Sequence, residues 1–82
     1  MKELSPTINK RGFLYRQEFA SDKGYIYSQT LNGVLLGYEV FLRKENTHFN
    51  CVSFPGDNAF GVWAWTTKTL ERAKQKLTER IV

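Results

Sequence analysis

From residue 13 to residue 65, short apolar-rich runs are separated by polar and turn-forming residues, and this pattern predicts a series of β-strands. The clearest turn between them is Asn32-Gly33, because both residues tolerate the positive φ angles of a two-residue type I′ turn. It lies between two apolar-rich runs, residues 25–31 and 34–43. The pattern therefore predicts a β-hairpin centred on Asn32-Gly33.

Uninterrupted pairing from this turn sets Leu31 opposite Val34 and Tyr27 opposite Tyr38. One face of the hairpin then collects most of the large apolar side chains: Tyr25, Tyr27, Leu31, Val34, Leu36, Tyr38, Val40 and Leu42. We expect this face to form the core. Upstream, a three-residue loop ending at Gly24 places Phe19 opposite Tyr27, on the same face.

Two further strands are predicted downstream, over residues 48–54 and 59–65, joined by a turn at 55–58. Simple hairpins put Phe49, Cys51, Phe60, Val62 and Ala64 on the core face. Thr66 and Thr67 are N-cap candidates for a helix. Its apolar stripe has the spacing i, i+3, i+7, i+11 and consists of Leu70, Ala73, Leu77 and Ile81.

The predicted fold is α+β, an antiparallel β-meander of four or five strands with one C-terminal α-helix packed on one face. Residues 1–11 are polar and lack periodicity, so they are predicted to form a flexible N-terminal arm. Residues 12–82 are predicted to be a single domain.

Composition narrows the function classes. The 82 residues carry a formal charge of +4, and residues 68–80 contribute +3 of it, which makes a polyanion a plausible partner. A single cysteine, Cys51, excludes an intrachain disulfide and a multi-cysteine zinc site. The first residues show no signal-peptide core, and no run is long enough to span a bilayer, so we expect a cytoplasmic protein without membrane contact.

The second face of the predicted sheet is unusually aromatic for a face exposed to solvent. The predicted register places Phe41, Asn50 and Trp63 in one cross-strand row, and Arg43, His48 and Trp65 in the next, with Arg16 on the same side. Such a surface can stack on nucleic-acid bases while its arginines meet phosphate. The outer side of the helix supplies further candidate phosphate contacts, Arg72, Lys76 and Arg80.

Two alternatives compete with an exposed aromatic face. A register shift of one residue in the last hairpin would bury Trp63 and Trp65 under the helix, and the N-terminal arm could instead fold over the second face. Glu18 and Glu39 also fall on that face, where their charge favours a protein partner over a nucleic-acid backbone.

No catalytic or metal-binding constellation is found in the pattern. His48 and Cys51 are three residues apart on a predicted strand, so their side chains point to opposite faces and cannot act as base and nucleophile. His48 is the only histidine and has no acidic cluster at ligand spacing. We expect no enzyme activity, no cofactor and no metal.

With the strands laid out, the segments "YEVFLRK" (38–44) and "FGVWAWTTKTLERAKQKL" (60–77) resemble small uncharacterised proteins of bacterial phage and mobile elements. The C-terminal half is also similar to AP2-type and integrase arm-binding DNA domains. That resemblance implies a sheet that enters the DNA major groove with arginine and tryptophan on the face away from the helix. Arg16, Arg43, Trp63 and Trp65 are the residues of matching type.

The sequence therefore predicts a small non-catalytic binding module, with nucleic acid as the first choice of partner. The alternative is a protein-protein interaction module, an adaptor or inhibitor of a phage or mobile element. The pattern leaves open whether the protein is a monomer or a homodimer.

Overall fold

The computed structural model describes residues 1–81. Its elements in chain order are β1 (Thr7–Lys10), β2 (Phe13–Ala20), β3 (Gly24–Leu31), β4 (Val34–Leu42), β5 (Glu45–Asn46), β6 (Cys51–Val52), a short 3₁₀ helix (Asp57–Ala59), β7 (Ala64–Thr67) and α1 (Leu70–Ile81). Five strands form one antiparallel sheet in the order β1-β2-β3-β4-β7, and α1 packs on one face. The predicted α+β fold class is confirmed. No helix within these residues is long and apolar enough to cross a membrane.

The Asn32-Gly33 turn forms as predicted, with φ angles of 51° and 80°, and Leu31 pairs with Val34. The register then shifts by one residue, because Thr30 pairs with Leu35 whereas Gln29 pairs with Gly37. Leu36 is the extra residue of a β-bulge, and the period of two gives no sign of such an insertion.

This bulge overturns the predicted composition of the core face. Beyond it Tyr27 lies opposite Glu39 rather than Tyr38, and Tyr25 lies opposite Phe41. A shift of one residue moves a side chain to the other face of the sheet. The two tyrosines therefore lie on the face away from α1, whereas Val40 lies beneath the helix.

The β2–β3 connection is also tighter than the predicted three-residue loop. The Ser21 N–H donates to the Gly24 carbonyl oxygen at 3.0 Å, so that only Asp22 and Lys23 separate the paired residues. The Ser21 Oγ accepts from the N–H groups of both Lys23 and Gly24 at 3.2 Å. As a result Phe19 pairs with Ile26, not with Tyr27.

Beneath α1, a small core consists of Ile26, Val40, Ala73 and Leu77. Leu70 packs against it, so three residues of the predicted helical stripe are confirmed; the side chain of Ile81, the fourth, lies outside the described part of the structure. The N-cap is neither Thr66 nor Thr67, because both belong to β7. Instead the Thr69 Oγ1 accepts from the Arg72 N–H at 3.2 Å.

A larger core lies on the opposite face. Its buried residues are Tyr15, Tyr25, Tyr27, Phe41, Val52, Ala59 and Ala64. Residues 45–63, here named the covering segment, fold over this face. Of the two strands predicted at 48–54 and 59–65, only the end of the second, Ala64 and Trp65, joins the sheet, as part of β7. The only strands within 48–63 are the two residues of β6, and they pair with β5 in a separate small sheet.

The N-terminal segment also differs from the predicted flexible arm. Residues 7–10 form β1 and pair with β2 along the first edge of the sheet. Leu4 and Ile8 pack against the larger core, and Lys2 exchanges backbone hydrogen bonds with residues Asn50 and Val52 of the covering segment. The first ten residues are therefore part of the domain.

Candidate functional site

The aromatic face predicted as a binding surface is the larger core. The Phe41 ring lies 6.3 Å from the Trp63 ring and 5.3 Å from the Phe54 ring, both edge to face. Phe41 and Trp63 were predicted to share a face, and they do. The covering segment supplies Phe54 and Trp63, so the aromatic groups pack on one another rather than face a partner.

The two tryptophans lie on different faces of the sheet, contrary to the prediction that they share one. Trp63 precedes β7 in a turn and packs against the larger core, with the Lys44 ammonium 5.3 Å from its ring. Trp65 pairs with Val40 in the β4–β7 ladder, which places it on the helix side. Each is partly buried.

Arg43 is occupied by contacts within the protein. It donates to both carboxylate oxygens of Glu3, at 2.8 and 2.7 Å, to Glu45 Oε2 at 3.0 Å and to the Tyr25 hydroxyl at 2.6 Å. These hydrogen bonds raise the pKa of Arg43 further above its usual value, while Arg43 lowers the pKa of Glu3 to about 2. The predicted role of Arg43 as a free phosphate contact is therefore wrong.

Three other residues of the predicted site also lie outside the aromatic face on which they were expected. Asn50, with φ of 52°, and His48 lie in the exposed turn between β5 and β6, where His48 stacks edge to face on Phe49 at 4.7 Å. Arg16 pairs with Ser28, which alternates with Ile26 and so lies on the helix side of the sheet. The sequence pattern had placed Phe49 in the core, but it is 72% exposed.

The helix residues of the predicted site do come together. Arg72, Lys76 and Arg80 follow one another at i, i+4 and i+8 along α1. The Lys76 ammonium lies 5.9 Å and the Arg80 guanidinium 4.8 Å from the centre of the Trp65 ring. We name the surface formed by these four residues the basic flank.

The basic flank borders the open edge of the sheet. β7 is the last strand in the sheet order, and a shallow groove of about 320 Å³ runs between Thr66, Thr67 and the helix residues Arg72 and Lys76. Within residues 1–81, the basic side chains of α1 form no ion pair, because the salt bridges found involve only Arg11 and Arg43. Gln75 and the acidic Glu79 line the same groove.

A second exposed feature is the tip of the β3–β4 hairpin. Four aliphatic side chains there are exposed, Leu31, Val34, Leu35 and Leu36, with Val34 at 61%. Leu36 is exposed because it is the bulge residue, and the others extend past the residues that β7 and α1 cover. The sequence signal was "LNGVLL" (31–36), an apolar run around a turn that is ordinarily polar.

Sequence reasoning missed one further group. Glu39 was expected on an open face, and it does lie on the face away from the helix, but there it is only 7% exposed. Its Oε1 is buried without a hydrogen-bond donor among the described residues. The available signal was a single acid in the apolar run "YEVF" (38–41), where a strand buried on both faces leaves no solvent-facing position.

Among residues 1–81, no three histidine, cysteine, aspartate or glutamate side chains are grouped so as to hold a metal ion. Comparisons of the chain with protein-family models, with curated proteins and with solved structures found no match.

Proposed function

We propose that this protein is a small non-catalytic module that binds the backbone of nucleic acid through the basic flank. The observation that carries the proposal is the row of Arg72, Lys76 and Arg80, which is free of ion pairs within the described residues and is anchored on Trp65. The covered aromatic face has no part in it.

The spacing of the row suits a phosphate backbone. Residues four apart on a helix are separated by about 6 Å along its axis, so the three side chains span about 12 Å. A nucleic-acid strand carries one phosphate per ~3.4 Å of helix axis, and three cations over that length can each meet a different phosphate.

Trp65 gives the row a fixed position. Both Lys76 and Arg80 lie over its ring, and a cation held on an aromatic face loses less side-chain entropy when it binds. We assign the three cations to phosphate contacts and not to base edges. We therefore expect binding with little sequence preference, dominated by charge and sensitive to salt.

The test is an NMR titration of the ¹⁵N-labelled protein with short single- and double-stranded DNA, which follows the two indole N–H signals. The Trp65 signal should shift, because its ring contacts Lys76 and Arg80, whereas the Trp63 signal on the other face should not. Three phosphate contacts predict a loss of about 40-fold in affinity between about 50 and about 200 mM salt.

A matched pair of variants locates the surface. Lys76→Gln should weaken binding and reduce the salt dependence by about one phosphate contact. Lys74→Gln removes the same charge from the opposite flank, next to Phe19 and Leu77, and should weaken binding much less. Equal losses in both variants, or a shift of Trp63 without Trp65, would contradict the proposal.

The hairpin tip favours a second candidate function, self-association through a protein-protein contact. An isolated exposed aliphatic side chain is ordinary, but four adjacent ones form a patch typical of an interface. A second copy of the chain is the simplest occupant, because two such tips can meet across a two-fold axis with the same patch on both sides. Sedimentation equilibrium tests it: Leu35→Lys should abolish a dimer, and Lys23→Gln, in the exposed turn at the other end of β3, should not. A monomer at millimolar protein concentration excludes it.

A further inference from the structure

The buried carboxylate of Glu39 lies at a cavity on the face away from α1. The cavity has a volume of about 220 Å³, and four aromatic rings line it: Phe13, Tyr15, Phe54 and Phe60. Residues from each of the strands β1 to β4 and from the covering segment therefore build it. It is smaller than the ~300–1,000 Å³ typical of sites for drug-sized ligands, so it suits a ligand of amino-acid size.

Glu39 is unsatisfied at this cavity. A buried carboxylate oxygen ordinarily accepts hydrogen bonds, and leaving one without a donor costs free energy. Oε1 has no donor among the described residues, and neither Lys10 nor Arg11 comes within salt-bridge distance of Glu39. A ligand that brings N–H donors would satisfy it.

The rings around the carboxylate are suited to a cation. Tyr15 and Phe54 meet at 61° with centroids 5.3 Å apart, and Phe13 and Tyr15 at 48°, so the rings form angled walls rather than two parallel plates for a flat base. The Lys10 ammonium already lies 5.6 Å from the centre of the Phe54 ring. Aromatic walls with a carboxylate are the usual surroundings of a bound ammonium or guanidinium group.

The mouth of the cavity has the opposite charge. Lys10 and Arg11 both line it, and the Arg11 guanidinium makes only a long contact of 3.4 Å with the exposed Asp57. Exposed pairs of this kind contribute little, so Arg11 can turn to another anion at small cost. If a ligand places its cationic end inward on Glu39, an anionic group at its other end can pair with Lys10 and Arg11 at the mouth.

We propose that this cavity binds a small zwitterion, with its guanidinium or ammonium end on Glu39 and its carboxylate between Lys10 and Arg11. The free basic amino acids have this chemistry. This site is separate from the basic flank, and neither proposal depends on the other.

The charge state of Glu39 agrees with this assignment. Burial raises its pKa to about 7, and the charge of Lys10 opposes that shift. Tyr15 faces the same cavity, and burial, followed by the charge of Glu39, raises its pKa as well. A bound cation would favour the ionised carboxylate by direct pairing.

The test compares three probes of similar length by NMR titration at constant ionic strength: L-arginine, L-citrulline, which lacks the cationic end, and agmatine, which lacks the carboxylate. Arginine should give saturable shifts of the backbone amides of Glu39, Tyr15 and Phe54. Citrulline should bind at least about tenfold more weakly, because it offers Glu39 no charge. Agmatine should also bind more weakly than arginine, because Lys10 and Arg11 gain no partner.

Two variants complete the test. Glu39→Gln should weaken arginine binding by about tenfold or more, and Glu71→Gln, which removes an exposed carboxylate on α1, should leave it unchanged. If arginine and citrulline bind equally, or arginine gives no saturable shift at these amides, the proposal is overturned. Equal binding of agmatine and arginine overturns the part assigned to Lys10 and Arg11. The three-probe comparison uses the unaltered protein, so it decides the matter even if Glu39→Gln fails to fold.

Discussion

Arg43 at the end of β4 binds both carboxylate oxygens of Glu3, a residue 40 positions earlier in the chain. Their two hydrogen bonds, at 2.8 and 2.7 Å, are joined by the Tyr25 hydroxyl, which donates to Glu3 Oε1 at 3.0 Å. The contact fastens the N-terminal segment to the sheet beside the larger core.

We expect Glu3→Gln to lower the midpoint of thermal unfolding at neutral pH, because the bidentate contact to Arg43 is lost. Arg43 lowers the pKa of Glu3 from 4.5 to about 2. A lowered carboxyl pKa adds stability above the unfolded value, and this stability disappears as the pH falls through about 2. The difference between variant and wild type should therefore vanish in that acid range. Glu71→Gln is the control. If the unfolding midpoints of Glu3→Gln and the wild type still differ below about pH 2, the assignment is contradicted.

Glu39→Gln should stabilise the protein, and only at higher pH. Because burial raises the pKa of Glu39 from 4.5 to about 7, the folded state binds more protons than the unfolded chain between these values. As the pH rises from 4.5 to about 7, the free energy of unfolding of the wild type should fall by up to about 3 kcal/mol. Urea titrations of both proteins at several pH values check this. The free energy of unfolding of the variant should exceed that of the wild type at about pH 8 but not at about pH 4. A constant difference across the window would be inconsistent with an ionising Glu39.

Gly24→Ala should destabilise the fold by about 1–3 kcal/mol, the usual cost of overpacking. A Cβ at this position would lie 2.6 Å from Leu77 Cδ1 and 2.7 Å from the Phe41 carbonyl oxygen. The leucine side chain can move, but the backbone oxygen cannot. Gly56→Ala is the matched control, since a Cβ there meets no atom within 4 Å, and its φ of −92° suits alanine. Equal unfolding midpoints in urea for the two variants would mean that α1 packs less closely on β3.

Thr69→Ala should cost about 1 kcal/mol, the typical value for loss of a helix N-cap. The Thr69 Oγ1 accepts from the Arg72 N–H, so the change leaves a donor in the first turn of α1 without a side-chain partner. Thr66→Ala serves as the comparison because Thr66 is exposed in β7 and caps nothing. Denaturation monitored by circular dichroism should show that Thr69→Ala is less stable than Thr66→Ala. The reverse order would indicate that Thr66, the N-cap candidate from the sequence, caps the helix.

The sequence was sufficient where local chemistry decides the structure. Asn32-Gly33 specifies its own turn through positive φ angles, and the stripe of Leu70, Ala73 and Leu77 specifies the buried side of α1. Neither outcome depends on residues far away in the chain. The β3–β4 hairpin and the position of the helix followed from these signals, whereas β1 was not expected and residues 48–54 do not join the sheet.

The faces of the sheet could not be derived in this way. Bulges at Glu18 and Leu36 each insert one extra residue, which shifts the register and breaks the alternation of faces along its strand, and no residue type in the sequence marks these two positions. The covering segment is a second example. Residues 48–54 and 59–63 are rich in residue types typical of strands, yet they fold over the aromatic core, where Val52, Phe54 and Trp63 pack.

The candidate site was predicted in part. The basic residues of α1 were identified because helical spacing alone puts Arg72, Lys76 and Arg80 in a row. The pairing of Arg43 with Glu3 joins residues distant in sequence, so no local pattern indicates it. The same is true of the cavity at Glu39, which requires strands β1 to β4 and the covering segment to meet.

The bulge at Leu36 leaves the pairing of β3 and β4 independent of the residue it adds. Leu36 is 42% exposed, so many side chains can replace it. Removing the residue altogether would join Leu35 directly to Gly37, and Thr30 would still pair with Leu35 and Gln29 with Gly37. Every residue of β4 would then keep its present face of the sheet. The gene should therefore accept both substitutions at this codon and its deletion.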